Sequence, residues 1–138
     1  MLLTKQLTSD LYVAGQITVA DVAEAAKQGF TAIINNRPDH EEEGQPLAQD
    51  IEAAARELGI KYLHQPVAGA QLGPDDAATF DKLVSEISGK VLAHCRTGTR
   101  CTMLWVLSQS GKRPADDILE TAKAAGYNLE HMREQLRT

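Results

Sequence analysis

"KVLAHCRTGTR", residues Lys90–Arg100, carries an apolar segment that ends in His and Cys straight into a loop holding one glycine and two arginines. The segment "VLAH" after Gly89 reads as a short buried strand, and "CTMLWVLSQS" beyond the loop reads as a helix. A loop between a buried strand and a helix N-terminus aims successive backbone N–H groups, and the positive end of the helix dipole, at whatever lies above it. Cys95 stands at the strand end, where that field and the cation of Arg100 favour thiolate over thiol. Gly98 permits the turn that brings the amides inward, and the fork of Arg100 can grip two oxygens of a tetrahedral anion. Arg96, Thr97, Gly98, Thr99 and Arg100 are therefore the candidate anion-binding loop, with Cys95 and Arg100 the candidate catalytic pair. Against this stands the plain alternative that a Cys after an apolar strand is a small core residue. His94 is expected to orient the loop and help hold the thiolate, not to act as general base, and Arg96 is expected to point into solvent.

Working outward, "LYVAGQ" reads as a strand closed by Gly15, and "TVADVAEAAKQGF" as a helix with Thr18 and Asp21 at capping-box spacing and Gly29 as its stop. "FTAIINN" has the β-branched content and length of a buried strand, and the polar loop "RPDHEEEGQP" after it, expected to be mobile, holds the densest acidic cluster of the chain. Pro46 opens a helix that carries Leu47, Ile51, Ala54 and Leu58 on one face; "IKYLHQPV" then supplies a further strand. Phe80, Leu83, Val84 and Ile87 recur at helical spacing before Gly89, and "PADDILETAKAAG" and "NLEHMREQL" read as closing helices. Strands alternating with helices predict an α/β fold, a mainly parallel central sheet flanked by helices, with function at the carboxyl ends of the strands.

A length of 138 residues without a linker, repeat or low-complexity stretch predicts a single domain over residues 1–138. A net charge of −5 argues against a broad polyanion-binding surface, so nucleic acid is not an expected partner. No apolar run approaches the roughly 20 residues of a membrane helix, and the expected compartment is the cytoplasm, with Cys95 and Cys101 reduced by default. His40, His64 and His131 lack ligand-like spacing with Cys or carboxylates, so neither a metal nor any other cofactor is implied.

The loop resembles the signature of cysteine-dependent phosphatases of the protein-tyrosine and dual-specificity class, which opens with His-Cys and closes with Arg. That class places five residues between Cys and Arg, whereas here Arg96, Thr97, Gly98 and Thr99 intervene. "AGQITVADVAEAAKQGFTAIINNRPD" and "VLAHCRTGTRCTMLW" are more similar to the bacterial phosphatase-like domain of beta-lactamase-hydrolase-like proteins, a divergent relative in which the shorter loop is the rule. The resemblance implies a cysteine-phosphatase-like fold, with Cys95 as nucleophile and Arg100 as phosphate ligand, and outweighs the core reading of Cys95. It implies as substrate a phosphorylated small molecule or phosphoprotein, phosphotyrosine and aryl phosphates among them.

Two departures matter. Ala68, Gly69 and Ala70 stand where the dual-specificity class carries its general-acid Asp, while Asp75 and Asp76 read as the first turn of a helix. Cys101 follows Arg100 where the class prefers Ser or Thr; either Thr102 substitutes for that hydroxyl or nothing does, and a Cys95–Cys101 disulfide is a redox alternative to a buried thiol. Arg37 either pairs with the acidic loop or sits at the pocket rim, and Asp39, Glu41, Glu42 and Glu43 read as a solvated loop, with Asp39 the member considered as a surrogate acid. Two other functions compete: a rhodanese-like sulfurtransferase, whose six-residue loop "CRTGTR" resembles, and a non-catalytic anion-binding module.

Overall fold

A computed structural model describes residues 2–137. Its β-branched and apolar runs form the middle of a five-stranded sheet: β1 (Lys5–Gln6), β2 (Leu11–Ala14), β3 (Phe30–Asn35), β4 (Lys61–His64) and β5 (Lys90–His94), in the order β1-β2-β5-β3-β4. All neighbours are parallel except β1, a two-residue antiparallel edge strand that the sequence reading missed because so short and polar a segment has no periodicity. Along central β5 the side chains alternate between faces, Val91 and Ala93 toward one core and Leu92 toward the other, as a period of two requires.

Helices cover both faces, as expected for a buried parallel sheet. On one side α1 (Val19–Lys27) and α2 (Ala48–Glu57) pack Val22, Ala25, Ile51 and Ala55 against Ile33 and Leu92. On the other, α3 (Pro74–Ser85), α4 (Thr99–Ser108) and α5 (Ala115–Ala124) bring Phe80, Leu104, Trp105 and Ile118 onto Val91 and Ala93. The Thr18–Asp21 capping box forms in both directions, at 3.2 and 2.9 Å, a device that stabilises a helix start by about 1 kcal/mol. Asp76 accepts from the Gly73 N–H at 3.0 Å, so the first-turn reading of Asp75 and Asp76 holds.

Two expectations need correction. Helix α4 begins at Thr99, not Cys101, because the Thr102 N–H and hydroxyl both reach the Gly98 carbonyl, at 3.0 and 2.8 Å, and draw the loop's last residues into the first turn. "NLEHMREQL" forms a 3-10 segment (Glu130–Gln135) rather than an α-helix: Leu129 and Met132, three apart, are both buried, and Asn128 Oδ1 caps the Glu130 N–H.

The register fixes the site. Ala14, His94, Asn35 and His64 lie level across four parallel strands, so the segments after them gather along one edge of the sheet, where β5 sits between β2 and β3. Pairing runs on past β4, with the Gln65 and Val67 N–H groups donating to the carbonyls of Asn35 and Asn36 at 2.8 and 3.0 Å.

Candidate active site

Cys95 continues β5 by donating its N–H to the Ala14 carbonyl at 3.3 Å, and the chain then turns sharply through Gly98, whose φ is +90°. Three carbonyls of the turn face away from the sulfur toward fixed donors. That of Arg96 accepts from the Gln16 N–H at 3.1 Å, that of Thr97 from the Tyr127 hydroxyl at 3.0 Å, and that of Gly98 from Thr102. The N–H groups of Thr97, Gly98 and Cys101 face inward onto Cys95, with Gly98 N to Sγ at 3.1 Å. Thr97 and Thr99 join hydroxyls at 2.9 Å across the outer side of the loop. The close approach of Gln16 needs Gly15, because a Cβ there would lie 3.0 Å from the Arg96 carbonyl oxygen.

This ring of donors sets the charge on sulfur. The Cys95 thiol is pulled down to about 5, chiefly by the thiol of Cys101 donating to it; burial opposes the shift, and the amides of Cys101, Thr97 and Gly98 add to it. Cys101 moves the opposite way, well above the ordinary thiol value through burial, so it keeps the proton that it donates. Both sulfurs are free thiols and both are buried. The hydroxyl expected after Arg100 is thus replaced by a thiol, while Thr102 anchors the loop instead of touching the sulfur. His94 brings no positive charge to the thiolate. Burial pushes its imidazole down to about 4, leaving it neutral, and neither ring nitrogen makes a hydrogen bond of good geometry, although the Cys95 backbone opposes the shift.

A depressed acid ionises early, so Cys95 is thiolate above pH about 5 and loses that charge as the pH falls through it. The rate of Cys95 alkylation by iodoacetamide should accordingly rise with a midpoint near pH 5 and stay flat through neutrality. A midpoint at the ordinary thiol value of about 9 would contradict this environment.

The acidic loop is exposed, as its composition suggests, but two of its carboxylates are tied to arginines of the site. Glu41 places both carboxylate oxygens on Arg100, Oε2 on Nη1 at 2.8 Å and Oε1 on Nη2 at 2.7 Å, and Arg100 also donates to the Val67 carbonyl at 3.0 Å. Arg37, 1% exposed, donates from Nε to Glu41 at 2.9 Å, from Nη2 to Glu42 at 3.2 Å and from Nη1 to Gln16 at 3.1 Å. Arg37 thus makes the ion pairs with the acidic loop that the first reading expected. Arg37 is buried but its carboxylate partners are partly open to solvent, so each pair tethers the loop without the energy of a fully buried ion pair. Arg96 is exposed as expected and reaches Glu42 at 3.6 Å. Asp39 is not the surrogate acid. Its Oδ1 accepts from the Ala48 N–H at 2.8 Å and caps α2, and Glu41 takes the place considered for it. Sequence reasoning missed the contacts of Glu41 and Tyr127; the signal for Glu41 was one arginine just after β3 and one in the first turn of α4, facing an acidic run. Hydrogen bonds from Arg100, with help from Arg37, hold the Glu41 carboxyl down at about 2, so in this position it has no proton to give at neutral pH.

Residues 4–112 match the family described as beta-lactamase hydrolase-like protein, phosphatase-like domain. The chain belongs to that family. This phosphatase-like domain is 37% identical over 126 residues to the beta-lactamase hydrolase-like protein of Agrobacterium fabrum, covering 90% of this chain and 29% of that protein. It thus spans less than a third of that relative. Among solved structures, a candidate phosphatase of Neisseria meningitidis superposes with a TM-score of 0.86 at 41% identity, covering 95% of this chain and 94% of that one. Tk-PTP in its active form, 18% identical, shares the fold with a TM-score of 0.75, covering 96% of this chain and 90% of that one. The domain is therefore phosphatase-like, with the fold of the protein-tyrosine and dual-specificity phosphatases. Among the described residues no helix is long and apolar enough to cross a membrane, and no group of three His, Cys, Asp or Glu side chains could hold a metal ion.

Proposed function

We propose that this domain hydrolyses phosphate monoesters, carried on a small molecule or a protein, through a phosphocysteine intermediate. Cys95 attacks phosphorus, the P–O bond to the leaving group breaks, and the leaving oxygen departs with the electron pair. Water then attacks the phosphocysteine, the S–P bond breaks, and thiolate and inorganic phosphate are released. The loop amides and Arg100 hold the equatorial oxygens throughout. The observation that carries this reading is the inward ring of N–H groups from Thr97, Gly98 and Cys101 around a sulfur held at about 5. Glu41 must leave Arg100 as phosphate enters, because both anions use the same two guanidinium nitrogens.

Ala68, Gly69 and Ala70 offer no carboxylate where the dual-specificity class carries its acid, so the leaving group departs without a positioned acid from that segment. Such an acid is worth roughly 10²- to 10⁴-fold, a loss that falls hardest on alkoxides. Wild-type protein should therefore release nitrophenol from para-nitrophenyl phosphate, and should turn over glycerol 2-phosphate about 10²-fold more slowly or worse. No nitrophenol from folded protein would overturn the proposal. Thiocyanate formed from thiosulfate and cyanide would favour sulfur transfer.

A further inference from the structure

Arg37, Arg96 and Arg100 form a row larger than one phosphate needs. Reading across the site, Arg100 grips Glu41, Glu41 bridges to Arg37, Arg37 bridges to Glu42, and Glu42 faces Arg96. Nε and Nη2 of Arg37 lie on one edge of its planar fork, and that edge takes one oxygen from each of the two carboxylates. Two anionic groups thus sit side by side on three guanidiniums. Gln16 holds the third donor of Arg37, Nη1, and β3 fixes the backbone by passing the Arg37 N–H to Asn35 Oδ1 at 2.8 Å. The side chain is 1% exposed, so this edge has a fixed direction.

A monoester that displaces the acidic loop replaces Glu41 on Arg100. It leaves the Nη2 of Arg37, and Arg96 beyond it, without the second anion that both now face. We propose that the substrate carries a second anionic group, phosphate or carboxylate, directly beside the scissile phosphate, bound by Arg37 and Arg96 where Glu42 now lies. Glu41 and Glu42 are then an intramolecular stand-in for that ligand, tethered and hence present at high effective concentration. A doubly anionic ligand competes with both carboxylates, a singly anionic one with half of the site. This assignment rests on the phosphatase reading above, and the test separates the two.

The probes are 2-carboxyphenyl phosphate and 4-carboxyphenyl phosphate, which share charge and ring but place the carboxylate beside the phosphate or far from it. Calorimetry on the Cys95→Ser protein, which binds without turnover, should give about tenfold tighter binding of the 2-isomer, the usual worth of one added charge-assisted pair. Arg96→Gln in that background should narrow the gap, Arg37→Lys should narrow it further, and the Glu41→Gln/Glu42→Gln pair should tighten both ligands. Equal affinity for the two isomers, with inorganic phosphate still competing, overturns the second-anion assignment alone. A gap untouched by both arginine changes overturns it as well. Failure of both isomers and of inorganic phosphate to bind a folded protein overturns the phosphatase reading and this assignment together.

Discussion

The Cys95→Ser protein should lose turnover of para-nitrophenyl phosphate by on the order of 10⁴-fold or more, a scale known for removal of a covalent nucleophile. Cys95 is fully buried, and serine occupies nearly the same space. A serine oxygen can still accept the Gly98 N–H that now reaches the sulfur, so the loop has no reason to reorganise. What it cannot do is ionise. The donors that bring a thiol down to about 5 act on an acid that starts near 9, whereas an alcohol starts far higher and stays protonated under the same influence. The substitution therefore removes the reactive species and keeps the cradle. Steady-state assays should be paired with a melting curve and a phosphate titration: Tm should change by a few degrees at most, and phosphate should still bind. Undiminished turnover in a folded Cys95→Ser protein would refute the nucleophile assignment, whatever the state of the anion site.

The part of this site that could be read in the sequence is the part made by neighbours in the chain. Buried strand β5, the turn at Gly98 and helix α4 are contiguous, and glycine stops around short apolar runs placed the other parallel strands by the same local logic. Contacts across long separations were not legible. Glu41 meets Arg100 from 59 residues away, and the Tyr127 hydroxyl meets the Thr97 carbonyl from 30 residues away. Composition made the acidic run look solvated, and it is exposed; what composition could not show is that Arg37 after β3 and Arg100 in the first turn of α4 tie Glu41 to the site. His94 departs from its expected role for a related reason, whereas Cys101 is the buried free thiol of the plain reading. A histidine beside the nucleophile suggests a nearby cation, but complete burial keeps this one neutral, and the Gly98 N–H at 3.1 Å reaches the sulfur instead.

Gly98→Ala should be the most damaging single methyl group that can be added to the loop. Two independent costs meet there. At φ +90° an L-residue is strained by roughly 1–2 kcal/mol, because its Cβ crowds the backbone. The new Cβ would also stand 2.2 Å from the Tyr127 hydroxyl oxygen, 3.0 Å from its Cζ and 3.4 Å from the Ala14 carbonyl carbon, so one side of the contact must move. If Tyr127 retreats, the Thr97 carbonyl loses its donor, at a net cost of about 1 kcal/mol. If the loop retreats, the Gly98 N–H leaves the sulfur. Together these costs come to about 3 kcal/mol, or a fall in Tm of about 10 °C for a chain of this size. At temperatures where the variant is still folded, turnover should drop about 10²-fold, the scale of losing one preorganised donor, and the iodoacetamide midpoint should move upward from about 5 as that donor is displaced. The steric part is separable by a second change. Tyr127→Ala removes the obstructing ring but not the φ strain, so Gly98→Ala and Tyr127→Ala combined should cost less than the sum of the two alone, by roughly 1–2 kcal/mol. Strict additivity would mean that Tyr127 does not press on the loop at Gly98, and the inward set of the amides would then have to be held by Gln16 and Thr102 without it.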